Sequence, residues 1–213
     1  MGKITKIEVQ KKHKDRLNIF IDDEFAFGCD GELVYKFSLN KGSSIDAEKL
    51  SNIIKEEEFI KCKSYCLNVV SRNLKTEKEI ITKLSEKGYE EDTIERALEF
   101  LKEYKFINDE KYALMFSKDK IIKSGRKKIE YDLKRKGVDN KIIKHSLDNL
   151  DEEVELNNAK KLALKKYNLL KNKEEDKRKI YNKLSTYLLG RGYEYGLIKK
   201  VVSSILSDLE EDL

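Results

Sequence analysis

The chain is 213 residues long, a length for one or two domains. It has no Pro and no Trp, and 40% of it is Asp, Glu, Lys or Arg, a helix-rich and heavily solvated composition. The net charge is +5, and no run approaches the roughly 18 apolar residues of a membrane span, so no membrane-spanning helix is expected. No apolar h-region follows Met1-Gly2-Lys3-Ile4-Thr5, so the expected compartment is the cytoplasm.

Residues 3–29 read as β. Ile4, Lys6 and Glu8 alternate with Thr5, Ile7 and Val9, and His13-Lys14-Asp15 reads as a turn. Leu17-Asn18-Ile19-Phe20-Ile21 and Glu24-Phe25-Ala26-Phe27-Gly28 flank Asp22-Asp23, a two-residue hairpin turn. Such a three-stranded meander is too small to be stable alone and must pack on a helix. Residues 30–37 form a short helix with Leu33, Val34 and Phe37 apolar. Ser44 or Asp46 caps a helix running to about residue 58, where Glu56-Glu57-Glu58 reads as a solvated face or a helix start.

From residue 59 on, helices come in threes. The first triplet has helices over about 59–73, from a Thr76/Glu79 capping box to Gly88, and over 90–104. The second runs from the N-cap Asn108 to about 123, then over 126–136, then 139–150. The third begins near Glu152 and continues over 175–191 and 194–209. Each middle helix ends on one motif, Leu-x-x-basic-Gly-apolar: Leu84 to Tyr89, Leu133 to Val138, Leu188 to Tyr193. With Gly88, Gly137 and Gly192 at C′, the Leu and the apolar residue take the two positions that touch in a Schellman cap. These glycines are therefore structural helix stops. Four residues before the Leu, and six, ten and thirteen after the Gly, stand Ile80/Ile129/Leu184, Ile94/Ile143/Ile198, Leu98/Leu147/Val202 and Leu101/Leu150/Ile205, all large aliphatics. A shared register of this kind marks an internal repeat. The predicted fold is mainly α: three tandem three-helix repeats in an elongated curved array behind a small N-terminal β-meander. The expected domains are 1–58 (β-hairpin and helix extension), 59–106 (repeat one), 107–150 (repeat two, basic) and 151–213 (repeat three).

No catalytic, cofactor-binding or metal-ligating residue is assigned. Phosphate-loop, dinucleotide, nucleophile-elbow and His-Glu-x-x-His patterns are all missing, and the carboxylates interleave with Lys at helical spacing as ion-pairing surface. The chain reads as a non-enzyme. Cys29, Cys62 and Cys66 read as packed free thiols; the i,i+4 pair Cys62 and Cys66 has no histidine near it in sequence to complete a metal site.

Charge is the remaining lead. Residues 111–150 carry twelve basic and five acidic residues, whereas 1–60, 61–110 and 151–213 are near neutral. Lys118, Lys123, Arg126, Lys127, Lys128, Lys134 and Arg135 crowd two helices and the turn between them, with Lys120 and Lys136 beside them. Ile129 and Leu133 mark the buried face of the second helix, and Lys127 and Lys134 lie two turns apart on another, so a ridge of charge is available. Phosphates or an acidic protein groove would fit it; a solvated helix face would look the same. Tyr112, Tyr131 and Tyr167 nearby are either stacking platforms or packing residues.

The run Arg72-Asn73-Leu74-Lys75-Thr76-Glu77-Lys78-Glu79-Ile80-Ile81-Thr82-Lys83-Leu84, then Lys87-Gly88-Tyr89, resembles the first-repeat motif of the RecX regulatory proteins. Ile107-Asn108-Asp109-Glu110-Lys111-Tyr112-Ala113 with Phe116 resembles that family's second repeat, as do Gly125 and Lys136-Gly137-Val138. Residues from Ile4 to Phe27 resemble the β extension of its longer members. The resemblance implies a cytoplasmic, non-enzymatic modulator of RecA, at work in homologous recombination, DNA repair and the SOS response. It would bind the RecA filament on single-stranded DNA in its groove and inhibit its ATPase and strand exchange, with no cofactor; a monomer is the default expectation. Some members of that family also bind DNA; with the modest net charge here, DNA contact is expected to be weak or through RecA. The seven basic residues above, Lys118 to Arg135, are the charge-based candidates for RecA or DNA contact. Two other readings stay open: a direct nucleic-acid-binding helical module, and a helical-repeat scaffold for some other protein.

Overall fold

The computed structural model of the chain describes residues 1–11 and 14–208. His13, placed by the sequence in the turn before the second strand, lies outside them, as does residue 209 at the expected end of the last helix. By its contacts the chain divides into two units: Met1–Asn73 with Ile80–Phe106, and Leu74–Glu79 with the residues from Ile107 on.

The first unit opens with β1 (Gly2–Val9), β2 (Arg16–Ile21) and β3 (Glu24–Asp30), joined by antiparallel pairing. Asp22 and Asp23 have φ of 51° and 69°, the left-handed pair that a type I′ turn requires. The sheet has four strands rather than three. Ser44–Ile45, expected to open a helix, is a short strand β4 that pairs with Gly2 and Lys3, giving the order β3-β2-β1-β4. Between them, α1 (Gly31–Lys36) is capped by Asp30. Ile4, Ile19, Cys29, Leu33, Leu39, Ile45 and Ile53 form the core under the sheet.

The two helices expected to meet near residue 58 are one, α2 (Ala47–Arg72), capped by Asp46. No Gly or Pro interrupts those 26 residues, so nothing stops the helix. Glu56-Glu57-Glu58 is accordingly neither a helix start nor wholly solvated. Glu57 is 6% exposed; it pairs with Arg16 at 2.5 Å and accepts the Asp30 N–H at 2.7 Å, tying α2 to the sheet. Burial raises its pKa, but the Asp30 N–H and Arg16 outweigh that and leave it below the ordinary carboxylate value.

The repeats hold α3 (Glu77–Glu86) and α4 (Glu91–Glu103), then α5 (Asp109–Lys120), α6 (Arg126–Arg135) and α7 (Asn140–Asp148), then α8 (Glu152–Leu170), α9 (Lys177–Gly190) and α10 (Tyr195–Asp208). Of the twelve aligned aliphatics, eleven are buried and Leu147 is half-buried. Gly88, Gly137 and Gly192 have φ of 83°, 82° and 79°. At each the residue after the Gly donates its N–H to the carbonyl of the Leu, at 3.2 Å in all three copies, and the Gly donates to the next carbonyl. That double bond pattern is the Schellman cap. Two further stops of the same pattern carry no Gly: Ser38 after α1 and Lys105 after α4, with φ of 49° and 57°.

The three cysteines are buried free thiols. Burial, with Glu57 beside it, pushes Cys29 up to about 11, and the hydrogen bond to Cys66 pushes Cys62 up. Among the described residues no three His, Cys, Asp or Glu side chains gather as a metal site, and no helix is long and apolar enough to cross a membrane.

Candidate functional site

The basic helices α5 and α6 lie in the second unit, and the start of α6 explains their placement. Its N-cap is Gly125, which offers no side chain to the unpaired N–H groups of a first helical turn. The third repeat supplies the acceptors instead. Gly125 N–H donates to the Arg191 carbonyl at 3.0 Å and Lys127 N–H to the Gly192 carbonyl at 3.1 Å. Arg126 N–H donates to Glu155 Oε1 at 3.0 Å. The N-terminus of α6 and the C-terminal stop of α9 thus satisfy each other. A side chain at either glycine would close this contact: a β-carbon on Gly125 would run into the Gly192 carbonyl, and one on Gly192 into the Lys128 backbone.

The segment Leu74–Glu79 meets the second repeat in the same way. Thr76 and Glu79 form the reciprocal capping box, with bonds of 3.1 and 3.2 Å. Thr76 Oγ1 also donates to the Lys136 carbonyl at 2.8 Å, and Glu77 N–H to Asp109 Oδ1 at 3.0 Å. Thr76 stands 49 residues before Gly125, and Glu77 the same distance before Arg126, so one junction occurs twice. A carboxylate from the next repeat's first helix, Asp109 or Glu155, receives the first helical N–H in both.

This junction decides which cations are available. Arg126 is turned inward: Nε donates to Glu155 Oε2 at 2.8 Å and the guanidinium donates to the carbonyls of Leu147 and Leu150, at 3.3 and 2.8 Å. Its side chain is 24% exposed, and that of Glu155 is 6%. Lys136, counted beside the basic cluster, reaches Glu79 at 2.6 Å and sits over the rings of Tyr112 and Phe116. Burial lowers its pKa, but Glu79 outweighs this and holds it above the ordinary lysine value; Glu79, raised by burial, is drawn below its own ordinary value by Lys136.

Lys127 and Lys134 lie on the solvent side of α6 as the spacing requires, yet each has a carboxylate beside it: Glu194 at 3.8 Å and Glu130 at 2.6 Å. Lys128 pairs with Asp132 at 2.9 Å and lies over the Tyr131 ring. Lys118, Lys123 and Arg135 are exposed and make no ion pair among the described residues. Of the tyrosines, Tyr112 stacks on Phe116 and Tyr167 packs on the core of the third repeat, while Tyr131 is 58% exposed.

Sequence reasoning missed Asp109 and Glu155, because a carboxylate among many carries no mark of the N–H it will receive. It also missed a second run of cations, in the third repeat. Residues 160–183 hold ten Lys or Arg against three Asp or Glu. A sum over residues 151–213 hides them behind the acidic start of α8 and the acidic last residues of the chain.

Comparison with known proteins covers the whole chain. The family models for "Regulatory protein RecX N-terminal domain" and for the first, second and third three-helix domains of RecX match residues 2–46, 62–101, 108–147 and 153–202. A "Regulatory protein RecX" of Clostridium perfringens (strain 13 / Type A) is 52% identical over 208 residues, 98% of both chains. One of Clostridioides difficile (strain 630) is 40% identical over 215 residues, covering both chains fully. Among solved structures, a crystal structure of regulatory protein RecX shares 30% identity at a TM-score of 0.77, covering 94% of this chain and 98% of its own. The RecX of Lactobacillus salivarius shares 26% at 0.64, covering 70% and 97%.

Proposed function

This chain belongs to the RecX family of regulatory proteins, and on that premise we propose that it regulates the recombinase RecA. It binds, as a monomer in the cytoplasm, to the filament that RecA forms on single-stranded DNA. It lies in the groove of that filament and lowers ATP hydrolysis and strand exchange. The observation that supports this reading best is the family match along the whole chain, over all three repeats and the sheet. The junctions add a physical reason. Within the second unit the start of α6 and the end of α9 satisfy each other, and Lys118, Lys123, Lys127, Lys134 and Arg135 stand on the solvent side of the second repeat. Cations held on a firm support suit a partner that carries nucleic acid. The chemistry asked of the chain is recognition alone.

The test is RecA ATPase on single-stranded DNA with the full chain added. Hydrolysis is expected to fall as the protein approaches the filament in concentration. An unchanged rate at several-fold excess overturns the proposal.

A further inference from the structure

We propose that the third repeat carries a second polyanion face, formed by the later half of α8, the loop after it and the start of α9, and that it takes the phosphodiester backbone of a nucleic-acid strand. This face works without RecA and so goes beyond the function above. Lys161, Lys165, Lys171, Lys173 and Arg178 are exposed there and make no ion pair among the described residues. The few acids in the stretch are otherwise engaged. Asp176 caps α9, accepting the N–H groups of Arg178 and Lys179, and Glu174 pairs with Lys183 at 2.8 Å and Lys179 at 3.9 Å. Glu175 and the capping Asp176, which keeps its charge, are left against the five cations.

The geometry collects them. Ala159 and Ala163 face the core of the repeat, which turns Lys161 and Lys165, one helical turn apart, to the opposite side. Six residues join α8 to α9, which pack on each other, so Lys171 and Lys173 in the loop and Arg178 in the first turn of α9 lie near the C-terminal end of α8.

Nucleic acid suits this face better than an acidic protein. A protein interface is built around an apolar centre, and here exposed apolar surface is limited to Leu164 and Leu169. Asn168 and Asn172, both exposed, add amides of the kind that pair with phosphate oxygens. Tyr167 and Tyr181 pack against the core, so no ring is presented for a base and binding is indifferent to sequence.

The experiment titrates the full chain into a short fluorescent oligothymidylate at low salt, without RecA. Wild type is expected to bind, with an affinity that falls steeply with salt. Lys161→Glu, Lys165→Glu and Arg178→Glu together are expected to weaken binding by about tenfold or more and to flatten the slope of log K against log salt by roughly 2. The neutral triple variant with Gln at the same positions guards against a folding defect and is expected to fall between the two. Lys118→Glu with Arg135→Glu serves as the reference and is expected to have the smaller effect. A well-folded triple variant that binds like wild type overturns the proposal, as does a wild type that ignores the oligonucleotide. Polyglutamate that binds the same residues and displaces the oligonucleotide overturns it in favour of an acidic protein partner.

Discussion

Residues 111–150 and residues 160–183 carry the same excess of seven positive charges, twelve over five and ten over three, and the fold treats them differently. In the first stretch Arg126, Lys127, Lys128, Lys134 and Lys136 each have a carboxylate within 4 Å, while Lys118, Lys123 and Arg135 have none among the described residues. In the second, Lys161, Lys165, Lys171, Lys173 and Arg178 have none among the described residues. The difference lies in where the acids fall. In α6, Glu130 and Asp132 sit at i,i+4 to the cations they meet, and Glu155 and Glu194 arrive from the third repeat. In the second stretch the acids sit together at residues 174–176, at a helix start that draws on Asp176. Net charge along a chain therefore says how many cations there are, and only the fold says how many are still available to a partner.

The largest effect expected from that distinction is at Arg126. Arg126→Met removes the counter-charge of the buried Glu155 and the donors to two carbonyls at the end of the second repeat. Leaving a buried carboxylate unpaired is expected to cost about 3–5 kcal/mol of stability. Arg135→Met, on the same helix but exposed, is expected to cost less than about 0.5 kcal/mol. Urea unfolding of the two variants checks the pair. If both losses are small, the distinction between engaged and available cations fails.

The helix stops repeat the contrast without charge. All three have one backbone conformation, but Gly192 faces the Lys128 backbone while Gly88 has nothing within 4 Å of where a β-carbon would stand. Gly88→Ala is expected to cost about 1 kcal/mol, the strain of a left-handed alanine. Gly192→Ala adds a collision with backbone that cannot swing aside, and a loss of roughly 2–3 kcal/mol is expected. Thermal melts that show equal losses would mean that the junction between α6 and α9 yields to a methyl group.

The helix stops were legible in the sequence because a left-handed residue leaves a mark: Gly at C′ with Leu and an apolar residue at fixed offsets. Where Ser38 and Lys105 take that conformation the mark is missing, and the strain is visible only in the backbone. The capping box at Thr76 was legible for the same local reason. β4 was not, since two residues have no periodicity and their pairing with β1 is long-range. The continuity of α2 was obscured by a run of three glutamates that looked like a boundary. The candidate contact residues were located correctly as to helix, but their partners were invisible, because Glu155 and Glu194 lie more than 25 residues away from the cations they meet. Local rules fix helix ends; long-range pairing decides the charge presented outside.

A smaller effect than at Arg126 or Gly192 is expected at Glu79 and Lys136, and its pH dependence identifies it. Glu79 has a folded pKa below its ordinary 4.5, so its contribution is complete above that value and is lost as the pH falls through the lower folded one. Lys136 has a folded pKa above its ordinary 10.5, so its contribution is complete below that value and is lost as the pH rises through the higher folded one. The pair therefore stabilises the fold fully between those limits and fades on either side. With both side chains about a quarter exposed, solvent screening keeps the size near 1 kcal/mol. Glu79→Gln removes the ion pair and keeps an amide that still accepts the Thr76 N–H. The stability gap between wild type and this variant is expected to stay constant from neutral pH down to about 4.5, the ordinary value above, and to narrow below it. A gap that persists undiminished in acid would mean that Lys136 holds the junction through the rings of Tyr112 and Phe116, with the carboxylate adding nothing.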